Sequence, residues 1–224
     1  MAQEIFKNDI ICNEFYCSDS ILFFREIKPG DCSAYEKEDS ASLQSLFINK
    51  SSSVSADLLS ALCYYPELAH VRIWVSCKSI KKTMNSRPTP LNIFRKRSNR
   101  VYHIIVNSNE GKNKGLSYSE LSFNIKTGWF GHELAHICAY EKMSTLQTIL
   151  FAIKYIGSKK YIRMVERNTD LATIEHGLAY PLYDGTEYLL RNKFISEKYK
   201  EYSVINGLSP NEIKCFWCKA RNSK

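Results

Sequence analysis

Gly131-His132-Glu133-Leu134-Ala135-His136 places two histidines four residues apart, with a glutamate directly after the first. On an α-helix this spacing puts both imidazoles on one face, about 40° apart around the axis, where neighbouring turns can share one Zn²⁺. The glutamate then stands beside the metal. Zinc lowers the pKa of a bound water towards about 7, and a nearby carboxylate can take that proton and later pass it to a leaving amine. The five-letter pattern alone is a moderate signal, and its surroundings decide its weight.

From Thr127 to Glu141 no proline intervenes, and Phe130, Leu134, Ile137 and Cys138 form an apolar face behind the histidines. That pattern predicts a buried helix carrying the motif. The competing reading places His132 and His136 on a surface helix, paired with Glu133, but a surface helix does not require so apolar a back.

Two histidines are too few for a catalytic zinc, which takes three protein ligands and a water. Downstream, Lys159 to Glu175 reads as a second helix closed by Gly177, a favourable C-cap residue. Within it Glu166 and Asp170 lie about 40° apart, whereas Glu175 points about 180° and His176 about 80° from Glu166. Glu166 is therefore the candidate third ligand. Asp170, one turn later, is the candidate acceptor for the second ring N–H of a ligating histidine. The plain alternative is a carboxylate pair on a solvated helix face.

Together these segments resemble the gluzincin class of zinc metalloproteases, which pairs His-Glu-x-x-His on one helix with Glu-x-x-x-Asp on a later one. The match falls on His132, Glu133, His136, Glu166 and Asp170 and covers roughly Val71 to Tyr188. The chain is similar to the compact minigluzincins and to small bacterial proteins of that type. The resemblance implies a zincin-like α+β fold, a small twisted sheet packed on the active-site helix, and a helix-rich C-terminal half. It implies His132, His136 and Glu166 as zinc ligands, Glu133 as general base and acid, and a peptide or protein substrate. It also makes Val101 to Val106 the candidate edge strand for extended peptide, the alternative being an ordinary inner strand. The sequence departs from larger members in having no clear counterpart of the histidine or tyrosine that steadies the oxyanion; His176, Tyr183 and Tyr188 are the candidates. Lys142 stands where a metzincin-type third histidine would fall. The SprT-like proteases share the first motif but carry a nearby third histidine and often a paired-cysteine zinc ribbon.

The length of 224 residues suits one domain, residues 55–224, with an N-terminal extension, residues 1–54, packed on it. A composition of 44% apolar and 24% charged residues is that of a globular chain. The net charge of +8 comes partly from Lys81, Lys82, Arg87, Arg95, Lys96, Arg97 and Arg100. These read as a solvated loop around Pro88 and Pro90, with nucleic acid or another anionic partner as the alternative. Met1 to Cys12 lacks the basic start and apolar run of a secretory signal, so a cytoplasmic location is the default expectation. The eight cysteines are irregularly spaced and are expected mostly as free core thiols. Cys215 and Cys218 have half-site spacing for zinc and would pair with Cys12 and Cys17 if the termini met.

In the first fifty residues the Ile21-Leu22-Phe23-Phe24 run, the turn at Pro29-Gly30-Asp31 and a helix from Tyr35 to Phe47 are expected. Further helices are expected at Ser55–Tyr65, Tyr180–Asn192 and Pro210–Arg221, and strands at Val71–Val75 and Val101–Val106. His103 is expected as a packed or edge histidine rather than a ligand. Ser144 to Ile156 is apolar on most of its circumference but too short to span a bilayer, which needs about 20 residues. It is expected as a helix buried in the domain, with a membrane-surface position as the alternative. The expectation drawn from all of this is a zinc-dependent metallopeptidase, a hydrolase. Its rival is a non-catalytic zinc-containing protein that binds an anionic partner through the basic loop. Oligomeric state is not legible.

Overall fold

Both expected strand runs form strands, and a third strand decides what they do. In the computed structural model, which describes residues 26–29, 52–108 and 115–222, β1 (Arg72–Lys78) runs parallel to β3 (Val101–Asn107), in register from Arg72↔Val101 to Lys78↔Asn107. Between them in sequence, β2 (Met84–Pro88) pairs antiparallel to β3, giving the order β1-β3-β2. β3 is thus the inner strand, and all its residues after Val101 are buried. A run with apolar residues on both faces is what a strand covered on both sides requires. The expectation that Val101 to Val106 forms the edge is overturned, since both of its main-chain sides are already paired. The edges are β1 and β2, and the β2 sequence Met-Asn-Ser-Arg-Pro lacks a strand signature and lies inside the stretch expected as a basic loop. His103 is packed: its ring stacks on Trp74 at 4.2 Å and its Nε2 lies 2.7 Å from Ser76 Oγ.

Against the sheet lies α2 (Phe123–Glu141), capped by Ser122 Oγ accepting from Ile125 N, with α1 (Ser52–Leu62) packed beside it. Buried residues occur on every side of α2, Phe130, Leu134 and Ile137 being fully enclosed. Its far end is closed by the buried Arg100, which donates to Met143 O at 2.8 Å, a cation at the helix C-terminus. Arg100 therefore leaves the basic cluster and becomes part of the core. Next come α3 (Thr145–Gly157), opened by a Ser144/Gln147 capping box, and α4 (Lys159–Glu175), capped by Ser158. Gly177, at φ +90°, takes the left-handed conformation that ends α4. The chain then forms α5 (Ala179–Arg191), α6 (Glu197–Asn206) and α7 (Pro210–Asn222). A Cβ on Gly128 would lie 2.4 Å from the Pro181 carbonyl carbon, so only glycine lets α2 and α5 approach this closely.

The fold is α+β, with a small mixed sheet and seven α-helices among the described residues. None of these helices is long and apolar enough to cross a membrane. The Ile21–Phe24 run, the Tyr35–Phe47 helix, most of the turn at Pro29 and residues Cys12 and Cys17 lie outside the described residues. Ile27 is buried in the main core, and its N–H donates to Asn124 Oδ1 on α2. Cys63 and Cys215 each take part in a disulfide, which departs from the expectation of mostly free thiols and removes Cys215 as a metal ligand. Cys77 and Cys138 are free thiols.

One helix differs plainly from expectation. α3 is not buried in the domain, for it buries Thr148 and Phe151 while Leu146, Leu150, Ile153 and Ile156 are exposed. Hydropathy alone cannot tell which face of so apolar a helix meets the core, and here aromatic packing around Phe151 decides.

Candidate metal centre and active-site cleft

α2 and α4 pack together so that His132 and His136 face Glu166 and Asp170. Both imidazoles are anchored at Nδ1 by α4. His132 Nδ1 lies 2.8 Å from Asp170 Oδ1, and His136 Nδ1 lies 3.2 Å from Thr169 Oγ1. A carboxylate can only accept from His132, so Nδ1 carries the hydrogen. Thr169 donates its own hydroxyl hydrogen to Val165 O at 2.9 Å, so its oxygen accepts from His136 in the same way. Both Nε2 atoms are thereby left for another partner. They converge on one oxygen: His132 Nε2 is 3.2 Å and His136 Nε2 3.6 Å from Glu166 Oε2.

These separations test the fit of a metal. Ligands about 2.0 to 2.1 Å from a tetrahedral zinc lie about 3.3 Å from one another, close to both separations. The three donor atoms all fall within 4.8 Å of each other, so His132, His136 and Glu166 can hold one metal ion. Neither Glu175, which is exposed, nor His176 belongs to this group.

The other oxygen of Glu166 is tied back. Oε1 accepts from Tyr155 OH and from Lys82 Nζ at 3.4 Å, and Lys82 also donates to Tyr155 OH at 3.3 Å. This leaves Oε2 alone for the histidines. Burial opposes the charge on Glu166, but the hydrogen bonds from His132 and His136 and the Lys82 charge hold its carboxyl well below the usual range. For His132 too, burial opposes the charged form, and the carboxylates of Asp170 and Glu166 outweigh it, raising the ring well above its ordinary value. Asp170 is held from the far side by Leu208 N, which donates to Oδ2 at 2.7 Å.

Glu133 is buried on the same helix, at the wall of a cleft of about 570 Å³ whose lining also includes His132, His136 and Glu166. Its Oε2 has no hydrogen-bond partner although it is shielded from solvent. An unpaired buried carboxylate oxygen is costly, so its place on a cleft wall points to a partner supplied from the cleft. Along one rim runs β2. Thr89 N donates to Val101 O and Asn107 N to Thr83 O, so alternation turns the main-chain N–H and C=O of Met84 and Ser86 towards the open edge. Ser86 Oγ donates to Glu133 O at 3.2 Å, fixing that edge to the motif helix.

None of the three expected oxyanion candidates lines this cleft. His176 stacks on Tyr65 and bonds Glu67 Oε1 at 2.8 Å, Tyr183 lies in the α5–α7 cluster, and Tyr188 packs with Leu189 and Ile195. The cleft holds Lys82 and Tyr155 instead. Sequence reading missed both, and Thr169 as well. Thr169 could have been found, since it is three residues after Glu166 on the same helical face. Lys82 gave no signal beyond being one of a basic group. Comparison with protein-family models, curated proteins and solved structures gives no match to this chain.

Proposed function

We propose that this protein is a zinc-dependent peptidase of zincin-like type, with His132, His136 and Glu166 as metal ligands and Glu133 as proton carrier. The observation that carries this reading is the unpartnered, buried Glu133 Oε2 beside three converging donor atoms. Bound there, zinc would act as a Lewis acid that brings a water's pKa towards about 7. Glu133 takes a proton from the attacking water and delivers it to the leaving amine, regenerating the carboxylate. Asp170 and Thr169 keep the imidazoles in the tautomer that presents Nε2. Lys82 is the cation nearest Glu166 in the cleft and offsets negative charge developing on the carbonyl oxygen. The open edge of β2 binds the substrate's backbone as an added strand, which favours an extended peptide.

Metal analysis of protein purified without chelator, combined with Glu133→Gln, tests the reading. About one zinc per chain is expected, retained by Glu133→Gln while hydrolysis of unstructured peptides drops by at least about a hundredfold. Metal-free protein would remove the proposal. Full zinc with no peptidase activity in the unsubstituted chain would favour a structural metal and a binding role instead.

A further inference from the structure

α3 is built the wrong way round for a helix serving only its own domain. At 100° per residue, Leu146, Leu150, Ile153 and Gly157 fall within about 60° of one another, with Ile149 and Ile156 along one side of them. This is the exposed face: Leu146 is 65%, Leu150 46% and Ile153 62% accessible, and Ile156 reaches 85%. The opposite face carries Thr148, Phe151 and Tyr155 towards the cleft. Thr145 Oγ1 donates to Ile93 O, so the segment bearing Phe94, itself 69% exposed, sits at the start of the helix. A contiguous apolar surface of this kind marks an interaction site.

The charge around it selects the partner. No acidic residue occurs from Lys142 to Val165 or from Val71 to Ser108. Lys142, Lys154, Lys159 and Lys160 are exposed along α3 and the start of α4, and Arg95, Lys96 and Arg97 are exposed beside Phe94. An apolar stripe flanked by lysines is the pattern of a helix lying in a membrane interface. A second copy docked by a two-fold axis through the same face would set these lysines against their own counterparts. At 13 residues α3 is about 20 Å long, too short to cross the hydrocarbon core but suited to lying flat on it.

We propose that α3 docks on an anionic phospholipid surface, with Leu146, Leu150, Ile153 and Phe94 among the upper acyl chains and Lys154, Lys159 and Lys160 at the level of the phosphates. Long lysine side chains reach that level while their stems stay apolar. Ile156 belongs both to this face and to the lining of the cleft, so the cleft opens beside the docked surface. Nothing in the proposal depends on hydrolysis or on a bound metal.

Flotation of the full chain with phosphatidylcholine vesicles, with and without about one third phosphatidylserine, tests it. Binding is expected to the anionic vesicles and to weaken as salt is raised. Leu150→Asp with Ile153→Asp is expected to abolish it, and Lys159→Glu with Lys160→Glu to reduce it at least about tenfold, both with unchanged melting temperature. Absence of binding, or binding indifferent to both pairs of substitutions, overturns the proposal. So does a dimer in light scattering that Leu150→Asp dissociates, which would give the face to a second copy. A large fall in melting temperature with Leu150→Asp also overturns it, because the chain itself would then cover that face.

Discussion

The α2–α4 pair and α3 are adjacent in the chain yet organised in opposite senses. In the pair, polar side chains are buried and interlocked: Asp170 and Thr169 each hold the Nδ1 atom of a histidine. In α3, apolar side chains stand outside while the helix presents an aromatic and polar face inward. Both arrangements run against the simple partition of apolar inside and polar outside. Departures from that partition mark candidate contact sites, here a donor group that could hold a metal ion and an exposed apolar face for which we propose a lipid partner.

The sharpest way to break the contrast is to remove a converging donor. His132→Ala, His136→Ala and Glu166→Ala are each expected to lower zinc affinity by more than about a hundredfold in competitive chelator titration, while His176→Ala leaves it unchanged. Full retention by Glu166→Ala would mean that the two histidines find their third ligand elsewhere. Within α3, Phe151→Ala should cost about 3 kcal/mol in denaturant unfolding, since the ring is buried among Tyr140, Tyr155 and Tyr161. A cost similar to that of an exposed residue would show that the helix is turned over.

Asp170→Asn should weaken zinc binding about tenfold, because the amide no longer fixes the His132 tautomer by charge. No change in affinity would make that contact purely structural. A smaller effect tests the rest of the α4 face. Arg167 pairs with Glu212 across to α7, and Glu212 also accepts from Ser209 N. Burial pushes the Glu212 pKa up, yet Arg167 and Ser209 outweigh it and hold it below the ordinary value near 4.5. The stabilisation is therefore present above that value and lost as pH falls through the lowered pKa. Glu212→Gln should remove about 1 kcal/mol at pH 7 and flatten the acid limb of the stability curve; an unaltered limb would assign the acid transition to other carboxylates. Smallest of all, Leu150→Asp should change unfolding stability by no more than about 0.5 kcal/mol. A loss approaching that of Phe151→Ala would contradict the exposed position of Leu150.

Much of the molecule follows from short-range rules that the sequence states by itself. The bounds of α4 match the expected Lys159–Glu175, because a capping serine and a terminal glycine act within one turn. Likewise, helical spacing alone puts His132 with His136 and Glu166 with Asp170, since 3.6 residues per turn holds in any helix. Tertiary structure decided everything that depends on which surfaces meet. It brought Lys82, 84 residues from Glu166, into the site through a strand with no strand signature. It made Val101–Asn107 an inner strand by supplying a partner on each side. And it turned the apolar face of α3 outward, because periodicity fixes which residues share a face of a helix, while only packing against neighbours fixes where that face points.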